Sequence, residues 1–373
     1  MAELSFTFPG KFFFGSDVLN LLGPLAASFG TRAMLIADAA LHENRHIERI
    51  QDILRKKNID CILLDDAVSP GTRRTIQNIL DFAQASRTQI FLGLGGTSVL
   101  NIARKTACLA AGQKNREGLP VPLPYIELPT VFRNPYLIAG SYVDTDPATR
   151  RPVLAPSAEG LPKAVFMDPS LSSGLSPKFT GTLMLDTLLL ALEGYLSGNA
   201  NFFSDAQFLT AINLLGDGIA EAIRGVKDLR PRVKASQAGV LCAFGISVTG
   251  LGVGSTLSLA LHTLFNVPKS WAAAVLLPHV MDILAESRTE RMATAAKILG
   301  EDAFGLEAQE AARLVPARAR RLIAQMFLPG RLRDLGLKLN EIIDAAEAAC
   351  EFDVSNRLPM PVDSLYDLLK RAY

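Results

Sequence analysis

Cysteine is scarce in this chain, and its spacing excludes several kinds of site. The 373 residues contain four cysteines, Cys61, Cys108, Cys242 and Cys350, and no two of them have the CxxC spacing of a metal or redox site. Such isolated cysteines fit buried free thiols in a reducing compartment, whereas small secreted proteins pair theirs in disulfides. We therefore expect a cytoplasmic protein without disulfide bonds.

An excess of charge and long apolar runs are also missing. The 38 lysines and arginines are balanced by 37 aspartates and glutamates, for a formal net charge of +1. This balance gives no excess of positive charge that would indicate binding to nucleic acid or to an anionic membrane surface. No apolar run is long enough to span a membrane, and the first residues lack a signal-peptide pattern. The basic run RARR at residues 318–321 is interpreted as a solvated helix face.

The order of apolar patterns predicts two domains of different class. Short β-rich runs alternate with amphipathic helical stretches (47–57 and 72–86) before about residue 178, which predicts a parallel, Rossmann-like sheet with helices on both faces. The predicted strands are 33–37, 61–64, 90–95, 124–128, 137–143 and 164–169. Helical periodicity dominates afterwards, so we expect an α/β domain over residues 1–178 and an all-α domain over 179–373. The helical breaks are expected near Gly198, Pro231, Pro268, Pro278, Pro329 and Pro359.

A glycine-rich turn follows one predicted strand and precedes a predicted helix. In IFLGLGGTSVLNIARKTA (90–107), Gly93, Gly95 and Gly96 allow a tight turn and a close ligand approach, while Thr97 and Ser98 open the helix. The free N–H groups and the dipole at such a helix start favour a phosphate. The simpler interpretation is a tight turn that needs glycine for steric reasons alone.

An acidic residue follows another predicted strand. Asp38 comes directly after AMLIA and could hold both hydroxyl groups of an adenosine ribose while repelling the 2′-phosphate of NADP. It could equally cap the next helix. Together with the glycine turn, it makes binding of a dinucleotide, with NAD favoured, the leading hypothesis for the first domain.

A carboxylate lies within an apolar predicted helix in the second domain. Asp186 is surrounded by leucine in LMLDTLLLALEGYLS (183–197). A buried carboxylate needs a cation, hydrogen bonds or a metal ion. A metal site would be expected to include a histidine one turn later, on the same helix face, but that residue is Leu190.

Several segments resemble the iron-containing alcohol dehydrogenase family, which is related to glycerol dehydrogenase and dehydroquinate synthase. The resembling segments occur in the family's order and are GLGGTSVLNIARKTA (93–107), ELPTVF (127–132), AVFMDPSLSSGLSP (164–177), LMLDTLLLALEGYLS (183–197) and FNVPKSWAAAVLLPHVMD (265–282). The resemblance implies a dehydroquinate synthase-like fold, a nicotinamide cofactor and an active site in the cleft between the two domains.

The metal site that the resemblance implies is largely absent from this sequence. Family members usually bind a divalent metal with one aspartate and three histidines, and these positions correspond to Asp186, Leu190, Ser255 and Lys269. A further histidine that relays protons in many members corresponds to Leu259. Leucine offers no lone pair and an ammonium repels a dication, so we expect no metal.

The nucleotide site implied by the resemblance is altered too. Thr97 stands at the family's third loop glycine, Asn101 at its aspartate and Arg104 at its lysine. The usually small residues after Thr130 are replaced by VFRNPY (131–136), which brings in Arg133. Thr130 is retained as a candidate cofactor contact, and Arg151 lies near the lysine that members often direct at the pyrophosphate.

These substitutions predict an ion pair in place of a metal site. Lys269 is expected to reach Asp186, either as a plain salt bridge or as a catalytic pair in which the ammonium polarises a carbonyl or phosphate oxygen. A lysine in an apolar pocket can also have a lowered pKa and act as a base or nucleophile, although the nearby carboxylate opposes that shift.

Three functions remain open from the sequence. The first is a metal-independent oxidoreductase that acts on a small alcohol or carbonyl compound with NAD. The second is a catalytically inactive descendant that serves as a binding or assembly protein. The third is a non-redox enzyme that holds an anionic small molecule with Arg133 and Lys269. We favour the first, with a small-molecule substrate, no nucleic-acid or membrane partner, and a homodimer as a possible assembly.

Overall fold

The fold is described here from a computed structural model covering residues 10–65, 73–114, 120–158, 161–224, 229–352 and 360–373. The chain forms two compact units. The α/β unit comprises Met1–Val131, Tyr136–Pro147 and Ala155–Gly174. The helical unit comprises Phe132–Pro135, Ala148–Leu154 and Leu175–Tyr373, so two short segments that precede Gly174 belong to it.

The α/β unit is built on a parallel sheet of six strands. The strands of the chain are β1 (Lys11–Phe14), β2 (Arg32–Ala37), β3 (Asp60–Leu64), β4 (Ile90–Gly95), β5 (Ala111–Lys114), β6 (Pro120–Pro122), β7 (Tyr125–Pro129), β8 (Ser141–Thr145), β9 (Pro152–Pro156) and β10 (Ala164–Met167). The sheet has the order β1-β10-β7-β4-β2-β3, with every pair parallel. Strands β5 and β6 form a separate antiparallel pair.

Both faces of this sheet are covered by apolar packing. The helices of the unit are α1 (Leu22–Ala27), α2 (His46–Arg55), α3 (Arg73–Ala85) and α4 (Thr97–Leu109). Side chains of β2 alternate between the faces, with Leu35 in the cluster that includes Ile47 of α2 and Met34 in the cluster that includes Ile79 of α3. This is the covering expected for a sheet of parallel strands.

The second unit is helical throughout its described part after Gly174, apart from loops and one short 3-10 turn. Its helices are α5 (Pro177–Tyr195), α6 (Phe202–Ile223), α7 (Arg230–Thr249), α8 (Val253–Phe265), α9 (Lys269–Ser287), α10 (Thr289–Ile298), α11 (Ala308–Gln325), α12 (Glu341–Glu351) and α13 (Val362–Ala372). Helix α5 starts where Ser176 Oγ accepts a hydrogen bond from the Phe179 N–H (3.2 Å) and proline occupies the first turn. The predicted fold class is confirmed.

Three local predictions need correction or fall outside the described residues. The segment 137–143 does not form one strand, because residues 137–140 are turns and β8 begins only at Ser141. Helix α9 continues through Pro278 instead of breaking there, and that proline is buried in the helical core. Pro359 lies outside the described residues, and β1 was not predicted.

The turns at 137–140 are explained by a fully buried arginine on α4. Arg104 donates hydrogen bonds from its guanidinium to the carbonyl oxygens of Tyr136 (3.3 Å), Leu137 (3.4 Å), Ala139 (3.2 Å) and Ser141 (2.9 Å). The carbonyl groups of this turn are therefore bound by a side chain, and the strand begins only after it, at Ser141. The same guanidinium contacts Glu127 Oε2 at 2.5 Å, and both side chains are almost completely buried.

Among the described residues, no single helix is both long enough and apolar enough to cross a membrane. Helices α7 and α8 meet the length and composition criteria only as a pair, bent by 102°.

Replacing Arg104 by methionine should destabilise the protein strongly. The change leaves Glu127 as an uncompensated buried charge and removes four backbone hydrogen bonds, so we expect a loss of about 3–5 kcal/mol in unfolding free energy. Lys105→Met is the matched control, because Lys105 pairs with Asp144 (2.7 Å) while about a fifth of each side chain remains exposed. The control should cost about 1 kcal/mol or less. Equal losses in denaturant titrations of the two variants would contradict this account.

Candidate functional site

The site is built around the carboxylate of Asp186, in the middle of helix α5. Only 1% of Asp186 is exposed, and every residue of α5 from Thr180 to Tyr195 is buried. Lys269 is the first residue of α9, directly after Pro268, and its Nζ donates to Asp186 Oδ1 at 2.5 Å. The ion pair predicted from the sequence therefore forms, within the helical unit.

A second cation contacts the same carboxylate. Arg133 Nε lies 3.0 Å from Asp186 Oδ1, and the Arg133 side chain is 8% exposed. Its position depends on Gly239 of α7, because a Cβ at that residue would lie 1.7 Å from the carbonyl oxygen of Phe132. Glycine thus lets the Phe132–Pro135 segment approach α7 closely enough to direct Arg133 at α5.

The surroundings of Lys269 favour the loss of a proton from its ammonium group. Burial and the positive charge of Arg133 lower the pKa of Lys269 to about 7, while Asp186 and Glu193 oppose the shift. The side chain keeps 15% exposure, so it is not sealed off completely. Lys269 can therefore exchange between ammonium and amine near neutral pH.

A second buried carboxylate supports the start of helix α8. Glu193 accepts hydrogen bonds from the backbone N–H groups of Gly254 (2.5 Å) and Ser255 (3.0 Å). It can do so because residue 252 is glycine, where a Cβ would lie 2.5 Å from Glu193 Cβ. Burial raises the pKa of Glu193, and these hydrogen bonds oppose the rise. Glu193 thus occupies the position where this helix start could otherwise bind an anion.

The residues at the expected metal-ligand positions do not fit a divalent cation. Asp186 is contacted by two cationic side chains, Leu190 is buried and apolar, and Lys269 brings a positive charge. In the part of the chain that the structure describes, no group of three histidine, cysteine, aspartate or glutamate side chains could hold a metal ion. His262 Nδ1 contacts the Val267 carbonyl oxygen at 2.9 Å, and His262 belongs to no such group of ligands.

The glycine turn lies between β4 and α4, as expected. A Cβ at Gly93 would lie 2.7 Å from the Tyr125 hydroxyl, and a Cβ at Gly95 would lie 2.9 Å from Val99, so packing explains both glycines. At Gly96 the nearest atom to a Cβ would be 3.9 Å away, which is an ordinary contact. Gly96 is the N-cap of α4, and no side chain caps the helix there. Packing therefore leaves the glycine at position 96 unexplained.

The other predicted cofactor residues are found in both units. Asp38 is exposed and caps a short 3-10 turn, with Oδ1 accepting from the Ala40 N–H at 3.1 Å. The capping alternative is thus realised, although the geometry still leaves Asp38 at the end of β2. Thr130 is buried after β7, with its N–H bonded to the Gly95 carbonyl (3.0 Å). Thr97 and Ser98 form the first turn of α4.

Arg151 belongs to the helical unit, where it is engaged by carboxylates. It pairs with Glu347 at 2.8 Å and also contacts Glu351. These side chains raise the pKa of Arg151, with the Glu351 hydrogen bond as the main cause. A pyrophosphate contact by Arg151 remains a prediction.

Comparison with known proteins identifies the family. The model of the iron-containing alcohol dehydrogenase family matches residues 9–169, and the model of its C-terminal part matches residues 180–373. The chain belongs to this family. It is 27% identical to 1,3-propanediol dehydrogenase of Citrobacter freundii over 352 residues, covering 91% of each, and 24% identical to lactaldehyde reductase of Escherichia coli K12, covering 86% of each. A crystal structure of 1,3-propanediol oxidoreductase has the same fold, with a TM-score of 0.89, 24% identity and complete coverage of both chains.

Sequence reasoning missed the contact between Arg133 and Asp186. It named Arg133 as an anion clamp, on the ground that an arginine replaces small residues after Thr130. It did not predict that this arginine would contact the buried Asp186 carboxylate in addition to Lys269. The available signal was that two cations, Arg133 and Lys269, stand in segments where the family resemblance does not expect them.

Removal of Asp186 should cost far more than removal of Lys269. Asp186→Asn leaves two buried cations without their carboxylate, so we expect about 3–5 kcal/mol less unfolding free energy. Lys269→Met should cost less than about 2 kcal/mol, because Arg133 still pairs with Asp186 and an unfavourably buried ammonium is removed.

The matched control is Asp282→Asn, since Asp282 forms an exposed salt bridge with Arg320. It should change the unfolding free energy by about 1 kcal/mol or less. If Lys269→Met proves as costly as Asp186→Asn in urea titrations, Arg133 does not compensate Asp186 as described.

Proposed function

We propose that this chain is a metal-independent oxidoreductase that transfers a hydride between NAD and a small alcohol or carbonyl compound. The observation that carries the proposal is the Lys269 ammonium, 2.5 Å from the one retained aspartate of the family's metal site. A positive group thus replaces the metal where a substrate oxygen would need positive charge. The names of the two relatives described above, which refer to a diol and a hydroxyaldehyde, suggest short substrates of this kind.

Lys269 would act on the substrate oxygen. A bound nicotinamide would supply or accept the hydride at the substrate carbon. During carbonyl reduction the ammonium would donate a hydrogen bond to the carbonyl oxygen, stabilise the developing negative charge and give up its proton. During alcohol oxidation the neutral amine would take the hydroxyl proton. Asp186 holds the Nζ in place by its hydrogen bond.

The nucleotide is proposed to lie at the start of α4. Gly96 offers room for a pyrophosphate, and the first turn of α4, with Thr97 and Ser98, offers N–H groups and a favourable dipole. Asp38 at the end of β2 would hold the adenosine ribose and disfavour the extra phosphate of NADP. Thr130 and Arg151 are further proposed contacts.

The catalytic role of Lys269 predicts a particular pH dependence. Reduction of lactaldehyde, 3-hydroxypropionaldehyde or butanal with NADH should proceed in EDTA, and its kcat should fall as the pH rises through about 7, because the ammonium form is needed. Alcohol oxidation should show the opposite slope. Lys269→Gln should lower kcat by about 100- to 1000-fold, as loss of an oxyanion donor does. Full activity of Lys269→Gln, or activity only after iron or zinc is added, would refute the proposal.

The nucleotide assignment predicts that one glycine is needed for binding but not for folding. Gly96→Ala should leave the melting temperature unchanged, because its Cβ has room, yet weaken NAD binding about tenfold or more by obstructing the pyrophosphate. Asp38→Ala should reduce the preference for NAD over NADP. Calorimetric titration of the wild type and both variants measures these effects. If the wild type binds neither nucleotide, the inactive or non-redox alternatives are favoured.

A further inference from the structure

A basic cavity lies in the helical unit, between helices α6 and α11. Its volume is about 410 Å³, within the range of small-molecule sites. Its lining residues are Ala220, Arg224, Arg318, Arg321, Leu322 and Gln325. The α11 residues are spaced three or four apart along the chain, which places them on one helix face. One face of α11 thus forms one side of the cavity, and the C-terminal end of α6 forms the other.

The side chains at this cavity leave an excess of positive charge. The lining contains three arginines and no acidic residue. Glu301 contacts Arg318 (2.8 Å) and Arg321 (2.6 Å), so one carboxylate serves two guanidinium groups. The acids of facing α6, Asp217 and Glu221, are both bridged by Lys234. Among the described residues of this group, four cations therefore meet three carboxylates.

One of the guanidinium groups, that of Arg318, is fixed by hydrogen bonds within the protein. Arg318 donates to Glu301 and also to the Gly216 carbonyl oxygen (3.2 Å). Burial opposes ionisation of Glu301, but the hydrogen bonds from Arg318 and Arg321 outweigh it and lower its pKa, so the anchor stays charged. The buried Nε of Arg318 has no hydrogen-bond partner among the described residues. A guanidinium fixed in this way loses little conformational freedom when it binds an anion.

The basic run at 318–321 therefore has two different faces. Arg320 forms an exposed salt bridge with Asp282 on α9, whereas Arg318 and Arg321 line the cavity. The expectation of a solvated helix face holds for Arg320 and for the partly exposed Arg321, but Arg318 is only 19% exposed.

We propose that the cavity between α6 and α11 binds a small phosphorylated molecule. Arginine forks match the oxygen geometry of phosphate groups, and Arg224, Arg318 and Arg321 could share one phosphate or two linked ones. Gln325 supplies a neutral polar group, and Ala220 and Leu322 supply an apolar wall for the rest of the ligand. This site is separate in its residues from the Asp186 cluster and does not depend on the proposed redox activity.

Calorimetric titration of the full-length protein with pyrophosphate, at an ionic strength held constant with chloride, tests the proposal. We expect saturable binding that is weakened about tenfold by Arg321→Gln and by Arg224→Gln, as loss of one charge-assisted contact predicts. Arg320→Gln is the matched control, because it removes the same charge from the neighbouring residue, and it should bind as the wild type does. Circular dichroism and melting temperature verify that each variant is folded.

Three outcomes would overturn the proposal. The first is an absence of saturable binding. The second is an equal loss in Arg320→Gln and Arg321→Gln, which would indicate attraction to general positive charge. The third is binding that survives Arg224→Gln and Arg321→Gln but is lost in Gly96→Ala, which would place the pyrophosphate at the α4 turn instead.

Discussion

The need of one buried carboxylate for positive charge organises the candidate site. Asp186 lies in a stretch of α5 that is buried throughout, where an isolated charge would be strongly destabilising. The sequence resemblance assigned this position to a metal ligand, whereas in the structure the compensating charge comes from two side chains of the same chain. One begins α9 and the other lies in the Phe132–Pro135 segment, so the carboxylate ties three separate parts of the helical unit together.

The two cations have different chemical consequences. An arginine keeps its charge at any physiological pH, whereas a buried lysine readily changes its protonation state. Because Arg133 remains paired with Asp186, Lys269 can lose its proton without leaving the carboxylate unpaired. The positive charge of Arg133 also helps to bring the pKa of Lys269 to about 7. The residue that can change its charge and the residue that keeps Asp186 paired are therefore different, which a single Asp–Lys pair would not allow.

The sequence predicted what depends on local pattern and missed what depends on distant contacts. Short apolar runs were sufficient to predict the strands β2, β3, β4, β7 and β10. The Asp186–Lys269 pair was predicted because the family resemblance assigns both residues to the same site. The segment 137–143 has a strand-like composition, yet Arg104, more than thirty positions earlier, binds its carbonyl groups. The contact of Arg133 with Asp186 likewise depends on Gly239 of α7. No periodicity within either segment encodes such a contact.

The steric roles of the glycines bear on whether the chain is an enzyme or an inactive descendant. Gly93, Gly95 and Gly239 each have a packing partner that a Cβ would meet at less than 3.0 Å, so the fold alone explains them. Gly96 has no such partner, and its backbone angles are open to any residue. Glycine is among the residues favoured at a helix N-cap, so capping is one reason for it. Room for a ligand at this helix start is a further explanation, and it is the one on which the proposed nucleotide site depends.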